Sequence, residues 1–132
     1  MSVGILLITH PGIGSSILHS ANRIFNSCSL NTKCLEVPPD VSLDRINASA
    51  QQMIADLNHG QGVLILTDLY GATPNNIARS FTQENQTTVL AGLNLPMLLR
   101  TFNYPEASLN ELCIKAAEGG KKGIHVCKQE DQ

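Results

Sequence analysis

Short apolar runs alternate along the chain with segments whose apolar residues recur at helical spacing, and this alternation constrains the fold more than any other feature. Residues 3–8 form a near-continuous apolar run, the pattern of a strand buried on both faces of a parallel sheet. Ile13, Ile17, Leu18, Ala21, Ile24 and Phe25 then follow at helical spacing. A short second strand at 33–37 is closed by Pro38-Pro39. Leu43, Ile46, Ala50, Met53, Ile54 and Leu57 make the apolar stripe of a second helix, with Ser42 placed to cap its start and Gly60 its end.

The remainder keeps the rhythm. Residues 63–66 read as a buried strand ending in Thr67-Asp68, and Thr73-Pro74 opens a third helix with a capping hydroxyl and a first-turn proline. Its buried face is Ile77, Ala78 and Phe81. A fourth strand covers 87–91, and a short helix runs from about Pro96 through Phe102. Ser108-Leu109-Asn110-Glu111 is a capping-box pattern that starts a last helix, expected to end at Gly119-Gly120. In residues 122–127, Ile124 and Val126 alternate with Gly123, His125 and Cys127, which predicts a final, half-buried edge strand. The expected fold is a doubly wound, mostly parallel α/β sheet with helices on both faces, strand order 2-1-3-4 plus the C-terminal edge strand.

Size and charge narrow the possible functions. The 132 residues, 42% hydrophobic and 15% charged, fit one domain over 1–132. The net charge is -2 and lysines and arginines do not cluster, which argues against nucleic-acid binding. No apolar run approaches membrane-spanning length and the N-terminus does not read as a signal peptide, so a cytoplasmic protein without direct membrane insertion is expected. Cys28, Cys34, Cys113 and Cys127 form no C-x-x-C pair and read as reduced, small apolar residues, with no metal or cofactor implied. Walker and G-x-S-x-G motifs are absent, which argues against an autonomous kinase and against a serine hydrolase.

In open α/β sheets, reactive groups gather at the carboxyl ends of strands, near the point where strand order reverses. With order 2-1-3-4, His10 and Asp68 project from adjacent strand ends into one shallow site. His10 precedes the Gly-rich stretch Pro11-Gly12-Ile13-Gly14-Ser15, where a helix start would offer unpaired amides to an anion. Histidine is a nucleophile when one ring nitrogen is free and the other is held, and Asp68 is the available acceptor. Each residue also has a structural reading: a loop histidine, a turn-capping aspartate, glycines for close packing. His19, His59 and His125 look like solvated residues, with His59 in the last turn of the second helix.

Four stretches carry a resemblance: Gly4-Ile5-Leu6-Leu7-Ile8-Thr9-His10; residues 62–76, which include Leu66-Thr67-Asp68-Leu69-Tyr70-Gly71-Ala72-Thr73-Pro74; residues 90–98, which include Gly92-Leu93-Asn94-Leu95-Pro96-Met97; and residues 119–126. They are similar to the enzyme IIA domain of the mannose family of the bacterial sugar phosphotransferase system. That resemblance implies a phosphorelay in which the phosphocarrier HPr gives a phosphoryl group to His10, which passes it to a IIB component. It implies that Asp68 orients the imidazole, that Thr73 lies beside the phosphoryl group, and that the protein is a homodimer, as members that exchange their C-terminal strand often are; Gly12 and Ile13, at the helix entry, are expected as further phosphate support. Related readings are the phosphocarrier subunit of a dihydroxyacetone kinase system and a stand-alone regulatory phosphoprotein. Three positions depart from the family pattern: Pro11 where glycine is common, Thr73 for a frequent serine, and Tyr70 for a frequent tryptophan.

Overall fold

The computed structural model describes residues 2–26, 31–82 and 86–129. In chain order the elements are β1 (Gly4–Thr9), α1 (Gly14–Phe25), β2 (Thr32–Glu36), α2 (Leu43–Leu57), β3 (Val63–Thr67), α3 (Thr73–Arg79), β4 (Thr87–Ala91), α4 (Leu95–Phe102) and α5 (Leu109–Lys122). The four strands form one parallel sheet in the order β2-β1-β3-β4, as the apolar runs predict. Cys28 lies outside the described residues.

Side chains alternate across a strand, so β1 and β3 feed two cores. Ile5, Leu7, Leu64 and Leu66 pack with Ala21 of α1, with Leu98 and Phe102 of α4, and with Leu112 and Ala116 of α5. Leu6, Ile8, Val63 and Ile65 pack with Ile46, Ala50 and Leu57 of α2, and with Ile77 and Ala78 of α3. Phe102 is fully buried and meets Phe25 edge-to-face, with ring centroids 6.1 Å apart. Truncating such an aromatic residue to alanine costs about 3–5 kcal/mol.

Two helix starts follow their signals. Ser42 accepts the Arg45 amide at the start of α2, and Ser108 and Glu111 form a complete capping box on α5. Three expectations need correction. Thr73 is not the cap of α3: that position is Ala72, with no side-chain capping bond, and Thr73 is the first helical residue. His59 lies just beyond α2, which ends at Leu57.

The third correction is the largest. Gly119-Gly120 does not end α5, which continues to Lys122, and residues 124–128 form no strand. These glycines are packing residues: a Cβ on Gly119 would stand 2.5 Å from Arg100 Cβ, and one on Gly120 would stand 3.0 Å from Met97 Cε. They let α5 lie close against α4. Ile124 and Val126 then project into solvent, 76% and 77% exposed, because no strand among the described residues pairs with them.

Candidate functional site

β1 and β3 run side by side in register, Ile8 opposite Thr67, so the residues that follow each strand emerge together. His10 and Asp68 are those residues. His10 Nδ1 lies 2.8 Å from Asp68 Oδ2, and the His10 backbone N–H donates to the same oxygen at 3.1 Å. A carboxylate only accepts, so Nδ1 donates, and in the neutral ring Nε2 carries the lone pair. Nε2 has no hydrogen-bond partner among the described residues, and the His10 side chain is 42% exposed while that of Asp68 is 8% exposed. Burial pushes the Asp68 carboxyl up, but the hydrogen bonds from the His10 ring and amide outweigh it and hold the group below the usual aspartate range. The arrangement is a fixed, half-exposed imidazole backed by a buried carboxylate.

The segment carrying His10 is tied down from within. The buried Thr9 hydroxyl donates to the His10 carbonyl at 2.8 Å and accepts the Gly14 amide at 2.9 Å. Gly12 turns the chain with φ +83°, a conformation that favours glycine. Gly14 begins α1 in the only way the packing permits, since a Cβ there would stand 2.5 Å from Cys34 Sγ.

Two of the amides expected to await an anion at this helix start, those of Gly14 and Ser15, already have partners. Glu36, the last residue of β2, accepts from the Ser15 amide at 2.9 Å and from the Ser15 hydroxyl at 2.7 Å. The Ser15 amide and hydroxyl, together with the Gly12 amide, hold the Glu36 carboxyl below the usual glutamate range. The Ile13 amide bonds the His10 carbonyl at 3.4 Å. Nothing local in the sequence singles out Glu36. Its place follows only from the β1–β2 register, which sets it opposite Thr9.

Thr73 lines the same groove as His10, a cavity of about 610 Å³ walled by Pro11, Val37, Pro38 and Leu43 among others. Leu43, expected on the buried stripe of α2, is 57% exposed here. Ile13, in the segment that follows His10, and Leu69 and Tyr70, which follow Asp68, are exposed as well. A roomier concavity of about 720 Å³ lies against Ser2, Tyr104 and Lys115, and its lining contains neither histidine nor cysteine. The sheet's carboxyl end, with its nucleophile, is the stronger site. His19, His59 and His125 are exposed and away from it, and His59 Nε2 lies 2.9 Å from Asn31 Nδ2.

With this geometry in place, the kinship of the chain can be stated. The family model for the PTS system fructose IIA component, EIIA-man, matches residues 4–117. The chain belongs to this family. It is 28% identical over 131 residues to the PTS system mannose-specific EIIAB component of Escherichia coli (strain K12), covering 97% of this chain and 40% of that protein. The chain thus spans about 40% of the length of that curated relative. It is 25% identical to the PTS system fructose-specific EIIA component of Bacillus subtilis (strain 168), over 96% of this chain and 88% of the relative. The mannose/sorbose-specific IIA subunit of the phosphotransferase system from Enterococcus faecalis superposes with a TM-score of 0.84 at 23% identity, covering 97% of this chain and 96% of that one. The PTS IIA protein associated with the fucose utilization operon from Streptococcus pneumoniae gives 0.82 at 23% identity, with all of both chains covered. The IIA domain therefore shares its fold with both.

Proposed function

We propose that this IIA domain accepts a phosphoryl group from HPr on Nε2 of His10 and passes it to a IIB component, acting in the cytoplasm. The observation that carries the reading is the His10–Asp68 pair, which leaves one ring nitrogen bound and the other exposed. In the transfer, the Nε2 lone pair attacks phosphorus as the bond between phosphorus and the donor breaks, its electron pair leaving with the donor. No proton needs to move. The ring gains positive charge, and the Asp68 carboxylate 2.8 Å from Nδ1 stabilises it, as the triad aspartate stabilises an imidazolium. Onward transfer is the reverse of these steps with a different partner.

Other features support a group handed between proteins. Leu43 lines the groove of the histidine, and Ile13, Leu69 and Tyr70 are exposed on the segments that follow β1 and β3, apolar surface that suits protein docking. Thr73 offers the hydroxyl in the groove for an incoming phosphoryl oxygen. Gly12 and Ile13 serve by shaping the turn beside it, their amides being engaged elsewhere. No helix among the described residues is long and apolar enough to cross a membrane. The protein works as a homodimer in this reading: β4 is an edge strand among the described residues, and the exposed Ile124 and Val126 suit pairing with a second copy. Sedimentation giving only monomer mass at micromolar concentration would reject the dimer.

Incubation with phosphoenolpyruvate, enzyme I and HPr, followed by intact mass, tests the relay. The chain should gain one phosphate and His10→Ala should gain none. His19→Ala, His59→Ala and His125→Ala should behave as wild type. A His10→Ala variant that still gains phosphate overturns the assignment.

A further inference from the structure

A phosphoryl group on His10 would form beside a helix start, the usual place for an anion to settle. Here a carboxylate is already seated there. Glu36 Oε2 takes both the amide and the hydroxyl of Ser15, at 2.9 and 2.7 Å, and the Gly12 amide also faces it. Glu36 stands opposite Thr9 across the β1–β2 ladder, one residue before the nucleophile. Neighbouring strands lie about 4.8 Å apart, so Glu36 and His10 fall within roughly one Debye length of each other. Asp68 supplies a second negative charge on the other side, 2.8 Å from the ring. No lysine or arginine lines the His10 groove.

We propose that Glu36 is a positioning residue for phosphoryl transfer: by taking the Ser15 amide in the first turn of α1 with its own negative charge it denies that amide to the phosphoryl group and keeps the group poised to leave. The inference rests on the phosphocarrier reading. A relay member must release what it accepts, and a phosphoryl group held by a free helix start would be harder to hand on. Glu36 thus acts through the amides and the local field and touches no reacting atom. Asp68 serves the ring and Glu36 restrains the phosphate, so the two carboxylates have opposite effects on the lifetime of phosphohistidine.

The test compares wild type with Glu36→Gln, which keeps an acceptor for Ser15 but removes the charge. Phosphohistidine is loaded with phosphoramidate, a small-molecule donor, so the measurement stands whether or not HPr phosphorylates the chain. Failure of HPr to phosphorylate wild type would count against the relay alone. Glu36→Gln should lengthen the half-life of the phosphohistidine at His10 roughly two- to five-fold, the span expected of an exposed charge at a helix end. Ser15→Ala removes the hydroxyl's bond to Glu36 but leaves the amide's bond and the charge, and should keep the wild-type half-life within error. A Glu36→Gln half-life equal to wild type overturns the proposal, and so does a Ser15→Ala change as large as that of Glu36→Gln. A third measurement needs no variant: the wild-type half-life should lengthen as salt screens Glu36, and a half-life independent of salt counts against the proposal.

Discussion

Replacing Asp68 by asparagine removes one negative charge and little volume, at a position where a single oxygen serves both the His10 ring and the His10 amide. The cost to phosphoryl acceptance follows from the charge that the ring acquires. Opposite charges centred about 4 Å apart attract by about 4 kcal/mol near a protein surface, where the effective dielectric constant is about 20. The His10 side chain is 42% exposed, so solvent screening reduces that figure. Transfer leaves only partial charge at the barrier, which reduces it again, to about 1.4–2.8 kcal/mol, or roughly 10- to 100-fold in rate. The corresponding change in a serine-protease triad costs about 10⁴, an upper bound for a strong phosphoryl donor. Rapid-quench measurement of transfer from phospho-HPr, followed by mass, reads the rate directly. A thermal melt of the variant separates lost chemistry from lost folding. An Asp68→Asn protein that folds and accepts phosphate at the wild-type rate would show that the carboxylate only anchors the turn, and the electrostatic reasoning would be refuted.

Three further outcomes are expected. The Asp68 carboxyl sits below its usual range when folded, so the stability it contributes is complete above the unfolded value of about 3.9 and is lost as pH falls through the lower, folded value. Urea midpoints measured downward from neutral pH should therefore fall more steeply below about pH 4 in wild type than in Asp68→Asn, and parallel acid limbs would contradict this. Thr9→Val keeps the buried shape but leaves the Gly14 amide without its acceptor and the His10 carbonyl with only the 3.4 Å bond from the Ile13 amide, so it should cost about 1–3 kcal/mol and slow phosphoryl acceptance; unchanged unfolding would sink it. Gly4→Ala would set a Cβ 2.7 Å from the Leu57 carbonyl oxygen, forcing α2 off the sheet at about 1–3 kcal/mol, and a wild-type urea midpoint would show that the helix yields freely.

What the sequence made legible was whatever depends on local pattern. β1 and β3 were visible as apolar runs because both their faces are covered, and a parallel sheet followed from the alternation of strands and helices. His10 and Asp68 could be paired in advance because parallel neighbours bring their carboxyl ends together. Contacts that cross between elements left no local trace. Glu36 reads as an ordinary strand-end glutamate until the register sets it against α1. Leu43 satisfies helical periodicity, yet the groove beside His10 leaves it exposed. Gly119 and Gly120 carry a helix-stop signal, but Arg100 and Met97 press against them and the helix continues. The alternation of Ile124 and Val126 is a true strand pattern without a pairing strand among the described residues.

β1 is paired on both sides and is buried along all six of its residues. Amides in such a strand exchange their hydrogens only when the whole molecule opens, whereas loops exchange through cheap local fluctuations. His10 directly continues that strand, and the Thr9 hydroxyl fastens the first turn of the loop back onto it. The reactive ring is therefore mounted on the most slowly opening part of the protein, and no hinge or lid lies between it and that anchor. Deuterium uptake at residues 4–9 should remain slow whether or not the histidine carries phosphate. In the proposed relay, the movement would then fall to the partner proteins.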